Sequence, residues 1–252
     1  SERERHVQFF RDHPQFFVRL LSRYHPLDET LLDRYSDRWN WERGGLSRNE
    51  ALLWSEALIN QYADRWDWEG GGLSWNKALP WSEALLDQYA DRWDWRWLSR
   101  NKALPWSKAL IAHHEDQWDW DNGYGLSDNK ALPWSEGLIE RYKDQWDWGA
   151  LSGSKILPWS KALIDRYVNR WHWGQLSAND ALPWSEALIE QYADRWDWER
   201  INWNEGLPWS KALISRHQDR WDWNWLRRNE GVYDALSDHI TPEVIHRVFA
   251  EE

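Results

Sequence analysis

The amino-acid sequence predicts an all-α solenoid of about eight repeats of about 25 residues, with a helical cap at each end. Three observations lead to this prediction. A Trp–Ser pair recurs at spacings of 25 to 28 residues, a Trp–x–Trp triplet follows each pair, and both ends of the chain lack this pattern. Repetition at a fixed period is typical of solenoids, in which each repeat packs only against its neighbours. By analogy with other solenoids, we expect a right-handed one.

The repeat is clearest at residues 79–95, LPWSEALLDQYADRWDW. Ser82 predicts a helix N-cap, because a serine hydroxyl accepts a hydrogen bond from an unpaired backbone N–H. Apolar residues follow this serine at intervals of three, four, seven and eleven, which predicts one buried stripe on a helix of about three turns. The residues predicted to form the repeat core are Trp81, Leu85, Leu86, Tyr89, Trp93 and Trp95.

The Trp–x–Trp triplet opens the second part of each repeat. Asp94 is a second N-cap candidate, and it predicts a short helix that runs through Ser99 and ends at Asn101. Asparagine tolerates the left-handed conformation that often ends a helix. The alternation of Trp93 and Trp95 also fits a short β-strand, so the triplet is either a helix start or a strand.

Three repeats carry Gly-rich insertions at one place, between the triplet and the next leucine. The insertions follow Trp41, Trp68 and Trp120. Insertions at one fixed place predict surface loops on one side of the repeats. They also argue against a continuous helix or strand from the triplet to the leucine in these repeats.

The two ends differ from the repeats and from each other. Residues 1–24 are apolar and helical in pattern, and residues 230–252 contain a helix start at Thr241, where proline follows the capping threonine. We predict an N-terminal helical cap over residues 1–24, a tandem repeat solenoid over residues 25–229, and a C-terminal helical cap over residues 230–252. A solenoid needs such caps because its end faces otherwise expose core residues.

The string LSRNKALPWS at residues 98–107, continued by Leu-Ile, Tyr and Trp-Asp-Trp, resembles tandem Trp-rich repeats of uncharacterised microbial proteins. The resemblance covers about residues 25–229, and it implies no activity. The LSxNxxLP pattern is also similar to that of leucine-rich repeats. This second resemblance implies an α/β solenoid, which is the alternative fold.

Composition excludes several classes of function. The net charge of −11 disfavours a surface that follows nucleic-acid phosphates. The absence of cysteine rules out disulfides and thiolate metal sites. No apolar run approaches the ~18 residues that cross a membrane, so we expect a soluble protein. The lack of cysteine is compatible with a cytoplasmic or an extracellular compartment and does not decide between them. We also expect no cofactor and no membrane or nucleic-acid partner.

Two sets of titratable residues could indicate chemistry. The run His113-His114-Glu115-Asp116 looks like a metal cluster, but His114 occupies the register of Tyr62 and Tyr89. We therefore expect a core substitution and no metal, since adjacent helical residues point apart. An aspartate also recurs nine residues after six of the seven capping serines, as a predicted ladder of capping or inter-repeat ion pairs: Asp64, Asp91, Asp116, Asp144, Asp194 and Asp219. No phosphate-binding loop, zinc spacing or nucleophile elbow is present, so we predict that the protein is not an enzyme.

Four of the 27 tryptophans lie outside the repeat pattern: Trp75, Trp97, Trp203 and Trp225. Trp203 follows Trp75 by 128 residues, and Trp225 follows Trp97 by the same interval. One interpretation is a duplication of five repeats that copied both residues. The other is a pair of exposed aromatic patches, because tryptophan is enriched at binding hot spots.

These observations favour a non-enzymatic repeat scaffold that binds an unidentified protein partner, with the four tryptophans as candidate binding residues. Two alternatives stay open. One is a structural protein that assembles head to tail into filaments, and the other is a carbohydrate-binding module that uses exposed tryptophan rings.

Overall fold

The computed structural model describes residues 1–120 and 124–250 and contains two compact units, Ser1–Pro133 and Trp134–Glu252. Every regular element in this described part is a helix, and no β-strand occurs there. The predicted all-α repeat solenoid is confirmed. The α/β alternative is wrong, because a leucine-rich repeat requires a strand in each repeat.

The helices are short, and each repeat has one helix in its first part and a second helix at or after the triplet. The elements of the first unit are α1 (Glu2–Asp12), α2 (Pro14–Tyr24), α3 (Glu29–Arg34), η1 (Leu46–Arg48), α4 (Glu56–Gln61), η2 (Leu73–Trp75), α5 (Glu83–Gln88), α6 (Trp95–Arg100), α7 (Lys108–His113) and η3 (Leu126–Asp128), where η marks a 3₁₀ helix. Those of the second unit are α8 (Glu136–Arg141), α9 (Trp148–Gly153), α10 (Lys161–Arg166), α11 (Trp173–Ala178), α12 (Glu186–Gln191), α13 (Trp198–Ile201), α14 (Lys211–Arg216), α15 (Trp223–Leu226), α16 (Glu230–Ser237) and α17 (Pro242–Ala250).

The first helix of the repeat begins at the predicted cap but is shorter than predicted. The Ser82 hydroxyl accepts a hydrogen bond from Leu85 N–H at 3.1 Å, and α5 then ends after six residues at Tyr89. The prediction of three turns is wrong because a side chain competes for the helix's last carbonyls. The indole of Trp93 donates to the Leu86 carbonyl at 3.2 Å, and the chain turns back instead of continuing the helix.

The triplet starts a helix in the repeats without an insertion. The Asp94 carboxylate accepts from Arg96 N–H at 3.1 Å, and α6 begins at Trp95. Repeats with a Gly-rich insertion have a 3₁₀ helix instead. As predicted, no continuous helix runs from the triplet to the leucine in the described residues of these repeats. Gly72 closes one such loop, and a Cβ at this residue would lie 2.0 Å from the Asp67 carbonyl oxygen. Only glycine fits there without displacing the backbone.

A buried serine links the second part of each repeat to the repeat that follows. The Ser74 hydroxyl donates to the Trp68 carbonyl at 2.7 Å and accepts from Asp94 N–H of the next repeat at 3.0 Å. One hydroxyl therefore pairs two backbone groups that would otherwise be buried without partners.

A buried asparagine forms the link in the other direction. The Asn101 amide donates to the carbonyls of Ser74 and Asn76 in the preceding repeat, at 3.2 and 3.3 Å, and accepts from Ala103 N–H at 3.0 Å. Asn101 is extended, with φ −75° and ψ 114°, so the left-handed conformation suggested for it is wrong. The residues that make this backward contact are Asn49, Asn76, Asn101, Asn129, Asn179, Asn204 and Asn229. The serines that make the forward contact are Ser22, Ser47, Ser74, Ser99, Ser152 and Ser177. We call these serines and asparagines the Ser–Asn spine.

The rings of the periodic tryptophans pack against one another within repeats and between successive repeats. Trp95 donates its indole N–H to the Ala90 carbonyl of its own repeat at 2.9 Å. Its ring packs against His114 and Trp118 of the next repeat, with ring centroids 4.7 and 4.9 Å apart. Each such ring thus has its polar group paired within one repeat while its apolar surface is buried by the next. Of the six predicted core residues, four are buried, and Trp81 and Tyr89 are half-buried.

The N-terminal segment joins the repeats through the same spine. Ser22 at the end of α2 accepts from Asn40 N–H at 3.0 Å, and Asn49 donates to the Ser22 carbonyl at 3.0 Å. Residues 21–22 therefore occupy the Leu–Ser positions of a repeat, although residues 1–24 lack the repeat pattern in sequence. At the other end, α16 buries Val232, whereas α17 buries none of its residues. The capping role of residues 230–252 stays a prediction.

We expect Asn49→Ala to lower the free energy of unfolding by about 3 kcal/mol, because it leaves buried backbone groups of two repeats without partners. Urea unfolding followed by far-UV circular dichroism measures the change. Glu50→Ala is the control, since Glu50 is exposed one residue away. Equal stability of the two variants would contradict a structural role for the spine.

Candidate functional site

The four tryptophans outside the repeat pattern form two pairs. Trp75 at the end of η2 packs against Trp97 of α6, with ring centroids 5.3 Å apart and planes 69° apart. Trp203 packs against Trp225 of α15, with centroids 4.8 Å apart and planes 49° apart. We call these the first and second tryptophan pairs. Each pair joins residues of two successive repeats, a contact that the sequence analysis did not predict.

The first tryptophan pair is surrounded by cations and by a further aromatic ring. The Arg100 guanidinium lies 5.4 Å from the ring centroid of Trp97 and 5.5 Å from that of Tyr124. Lys77 Nζ lies 5.8 Å from the ring centroid of Trp75. These distances are within the range in which a cation is attracted to an aromatic face.

Trp75, Trp97, Arg100 and Tyr124 line a surface cavity of about 280 Å³. The two indoles are half-buried and Tyr124 is 70% exposed, so the aromatic surface remains accessible. The Nε atom of Arg100 is buried and has no hydrogen-bond partner in the described part of the chain. The other residues that line the cavity are Lys102, Gly125, Asp128 and Asn129.

The second tryptophan pair is more exposed. Trp203 has 48% of its surface accessible, and the Arg228 guanidinium lies 4.6 Å from the ring centroid of Trp225. The two pairs therefore share one composition, namely two indoles from successive repeats and an arginine on one of the rings. In both pairs the arginine holds the third position of equivalent four-residue segments, LSRN at residues 98–101 and LRRN at residues 226–229. This shared position in the repeat is the sequence signal from which Arg100 and Arg228 could have been predicted.

A second feature is a row of tyrosine–carboxylate contacts between successive repeats. The hydroxyl of Tyr192 donates to Asp165 at 2.6 Å, and Tyr62 makes the equivalent contact with Asp33. Burial, and then the hydrogen bond to the carboxylate, raise the pKa of each of these two tyrosines to about 12. The phenols are therefore structural donors at neutral pH.

The predicted aspartate ladder is confirmed at three positions. Asp64 lies 3.2 Å from Arg92, Asp144 lies 2.5 Å from Arg170, and Asp194 lies 2.7 Å from Arg220, each arginine belonging to the next repeat. These carboxylates are exposed, so each pair contributes about 1 kcal/mol or less. In the described part of the chain, the other predicted members form no ion pair: Asp91, Asp116 and Asp219.

The two adjacent histidines depart from the tyrosine pattern. His114 occupies the tyrosine register and is buried, as expected of a core substitution. Both histidine rings nevertheless turn toward one carboxylate, since Asp87 Oδ1 lies 3.0 Å from His113 Nε2 and 3.2 Å from His114 Nε2. The expectation that adjacent side chains point apart is wrong here because α7 ends at His113 and His114 is no longer helical. Burial, and then the neighbouring His113, lower the pKa of His114.

Comparison of the chain with family models, with curated proteins and with solved structures finds no match. Within residues 1–120 and 124–250, no helix has both the length and the apolar character that crossing a bilayer requires.

We expect the free energy of unfolding to fall as the pH rises from about 10 to about 12. Over this range the unfolded chain ionises its tyrosines while the folded chain keeps Tyr192 and Tyr62 protonated, so the folded state loses its advantage. Below pH 10 the contribution of these two tyrosines to the free energy of unfolding is fully present. Tyr192→Phe should make the decline shallower in pH-dependent urea unfolding, and the exposed Tyr233→Phe should not. An unchanged slope in Tyr192→Phe would contradict the assignment.

Proposed function

We propose that this protein is a non-catalytic scaffold that binds another polypeptide through its tryptophan pairs. The observation that carries the proposal is the pairing itself. Residues 128 positions apart in sequence recur as two clusters of the same chemistry, each with two indoles and an arginine. A duplication explains how the residues were copied, but it does not by itself explain exposed indoles at positions that are polar or small in other repeats.

The chemistry of the clusters indicates the kind of segment they bind. Tryptophan and arginine are the residues most enriched at the centres of protein interfaces, where partly buried rings offer large apolar area at little cost in side-chain entropy. The chain carries a net charge of −11, yet Arg100 and Lys102 line the cavity of the first pair together with one carboxylate, Asp128, and Lys77 lies over the ring of Trp75. This local positive charge favours a partner segment with an apolar or aromatic side chain flanked by acidic residues.

The repeat framework suits this role because its core does not depend on the residues of the tryptophan pairs. The periodic tryptophans close the core through their own hydrogen bonds, as Trp93 does with Leu86. The pairs lie at registers where other repeats have Ala150 and Ala178. The binding residues can therefore vary between repeats while the core stays constant.

The test is a partner capture that compares the wild-type chain with a variant in which all four residues are replaced by alanine. Alanine already occupies both registers, so we expect the variant to keep its circular dichroism and melting temperature. The captured protein is then titrated by calorimetry against the Trp75/Trp97→Ala and Trp203/Trp225→Ala double variants. We expect one or both to lose at least tenfold in affinity, since a hot-spot residue contributes about 2 kcal/mol or more.

Leu53→Ala is the control, because Leu53 is 83% exposed and belongs to neither pair. A partner that binds the fourfold variant as tightly as wild type would overturn the proposal. Binding of glycans but no protein would favour the carbohydrate alternative. Association of the chain with itself in sedimentation, without another partner, would favour the filament alternative.

A further inference from the structure

The strongest cluster of titratable groups outside the tryptophan pairs joins two successive repeats of the first unit. Asp87 lies near the end of α5, and His113 and His114 lie at the end of α7. The potential ligand atoms of these three residues all lie within 4.8 Å of one another. We propose that they form a binding site for a divalent transition-metal ion of the zinc class.

The distances between the side chains fit such an ion. Asp87 Oδ1 lies 3.0 Å from His113 Nε2 and 3.2 Å from His114 Nε2. Bonds of about 2.0 Å to a tetrahedral ion separate the ligand atoms by roughly 3.3 Å. Small rotations of the side chains are therefore enough to bring all three onto one ion. Two imidazoles and one carboxylate are a common protein set for zinc, and they leave a fourth position for water or an external ligand.

The burial of the three residues supports a site that is both anchored and open. His114 is only 8% exposed, and its Nε2 atom is buried without a hydrogen bond in the described part of the chain. A bound ion would give this nitrogen a partner. The side chains of His113 and Asp87 are 57% and 51% exposed, so an ion can reach the site from solvent.

Comparison with the repeat that contains His217 shows which residue distinguishes the proposed metal site. His217 also replaces the tyrosine, its Nε2 atom is also buried without a hydrogen bond, and it lies 3.4 Å from Glu190. An orphan histidine nitrogen is therefore not enough to define the site. At His217 the preceding residue is Arg216, which cannot bind a metal and repels one. Among the residues that the structure describes, only the repeat that contains His113 supplies a third ligand.

The chain itself provides the conservative replacements for a test. The residue equivalent to His113 is Gln88 in the preceding repeat, the residue equivalent to His114 is Tyr89, and the residue equivalent to Asp87 is Asn60. His113→Gln, His114→Tyr and Asp87→Asn therefore place side chains in environments that the fold already accommodates. His217→Tyr is the matched control, because it restores the tyrosine pattern without touching the proposed ligands.

Zn²⁺ is titrated calorimetrically into the full chain, without an affinity tag and after treatment with a chelator, and Co²⁺ is used as the spectroscopic probe. We expect one Zn²⁺ per chain, visible Co²⁺ absorption typical of four or five ligands, and a melting temperature that rises with Zn²⁺ because the ion bridges two repeats. Each of the three ligand variants should lose about 100-fold or more in affinity, since even second-shell changes cost 10- to 100-fold.

The His217→Tyr control should bind Zn²⁺ as wild type does. Absence of Zn²⁺ binding by the folded wild-type chain would overturn the proposal. So would binding that persists unchanged in all three ligand variants, because it would place the ion elsewhere on the chain.

Discussion

The structure depends on one constraint, which is that a short repeat must pair its buried backbone groups with those of its neighbours. Helices of about six residues leave most of their N–H and C=O groups outside regular helical hydrogen bonds. The Ser–Asn spine solves this problem with neutral side chains. Ser74 reaches forward to the next repeat and Asn101 reaches backward, both while fully buried. Buried amides and hydroxyls of this kind fix the register between repeats, because a shifted repeat would leave several polar groups unpaired.

The periodic tryptophans follow from the same constraint. A six-residue helix ends with free carbonyls, and an indole N–H can pair with one of them while its ring covers the apolar surface of a neighbouring repeat. Trp93 donates to Leu86 of α5 and packs against Trp68 of the preceding repeat. Trp95 donates to Ala90, just after α5, and packs against His114 and Trp118 of the next repeat. The exceptions to the repeat are therefore informative. Trp97 and Trp203 have no indole hydrogen bond in the described part of the chain, and both remain accessible to a ligand.

Sequence reasoning predicts the repeat period, the helix N-caps and the core, because these depend on spacing alone. Ser82 and Asp94 cap helices as predicted. It overestimates the length of the first helix, because the indole of Trp93 interrupts a stripe that looks continuous in sequence. It identifies the four unusual tryptophans but not their pairing or Arg100, since contacts between repeats depend on how the repeats stack. For the same reason, it could not foresee that His113 and His114 converge on Asp87.

The most direct test of this account is the hydrogen exchange of individual indole N–H groups, measured by NMR on a chain with ¹⁵N-labelled tryptophan. The indole signals are assigned by single Trp→Phe substitutions. We expect slow exchange for the tryptophans bonded to backbone carbonyls, such as Trp93 and Trp95, and fast exchange for Trp75, Trp97, Trp203 and Trp225. Exchange of the Trp93 indole as fast as that of Trp203 would contradict it, because the periodic tryptophans would then not close the core.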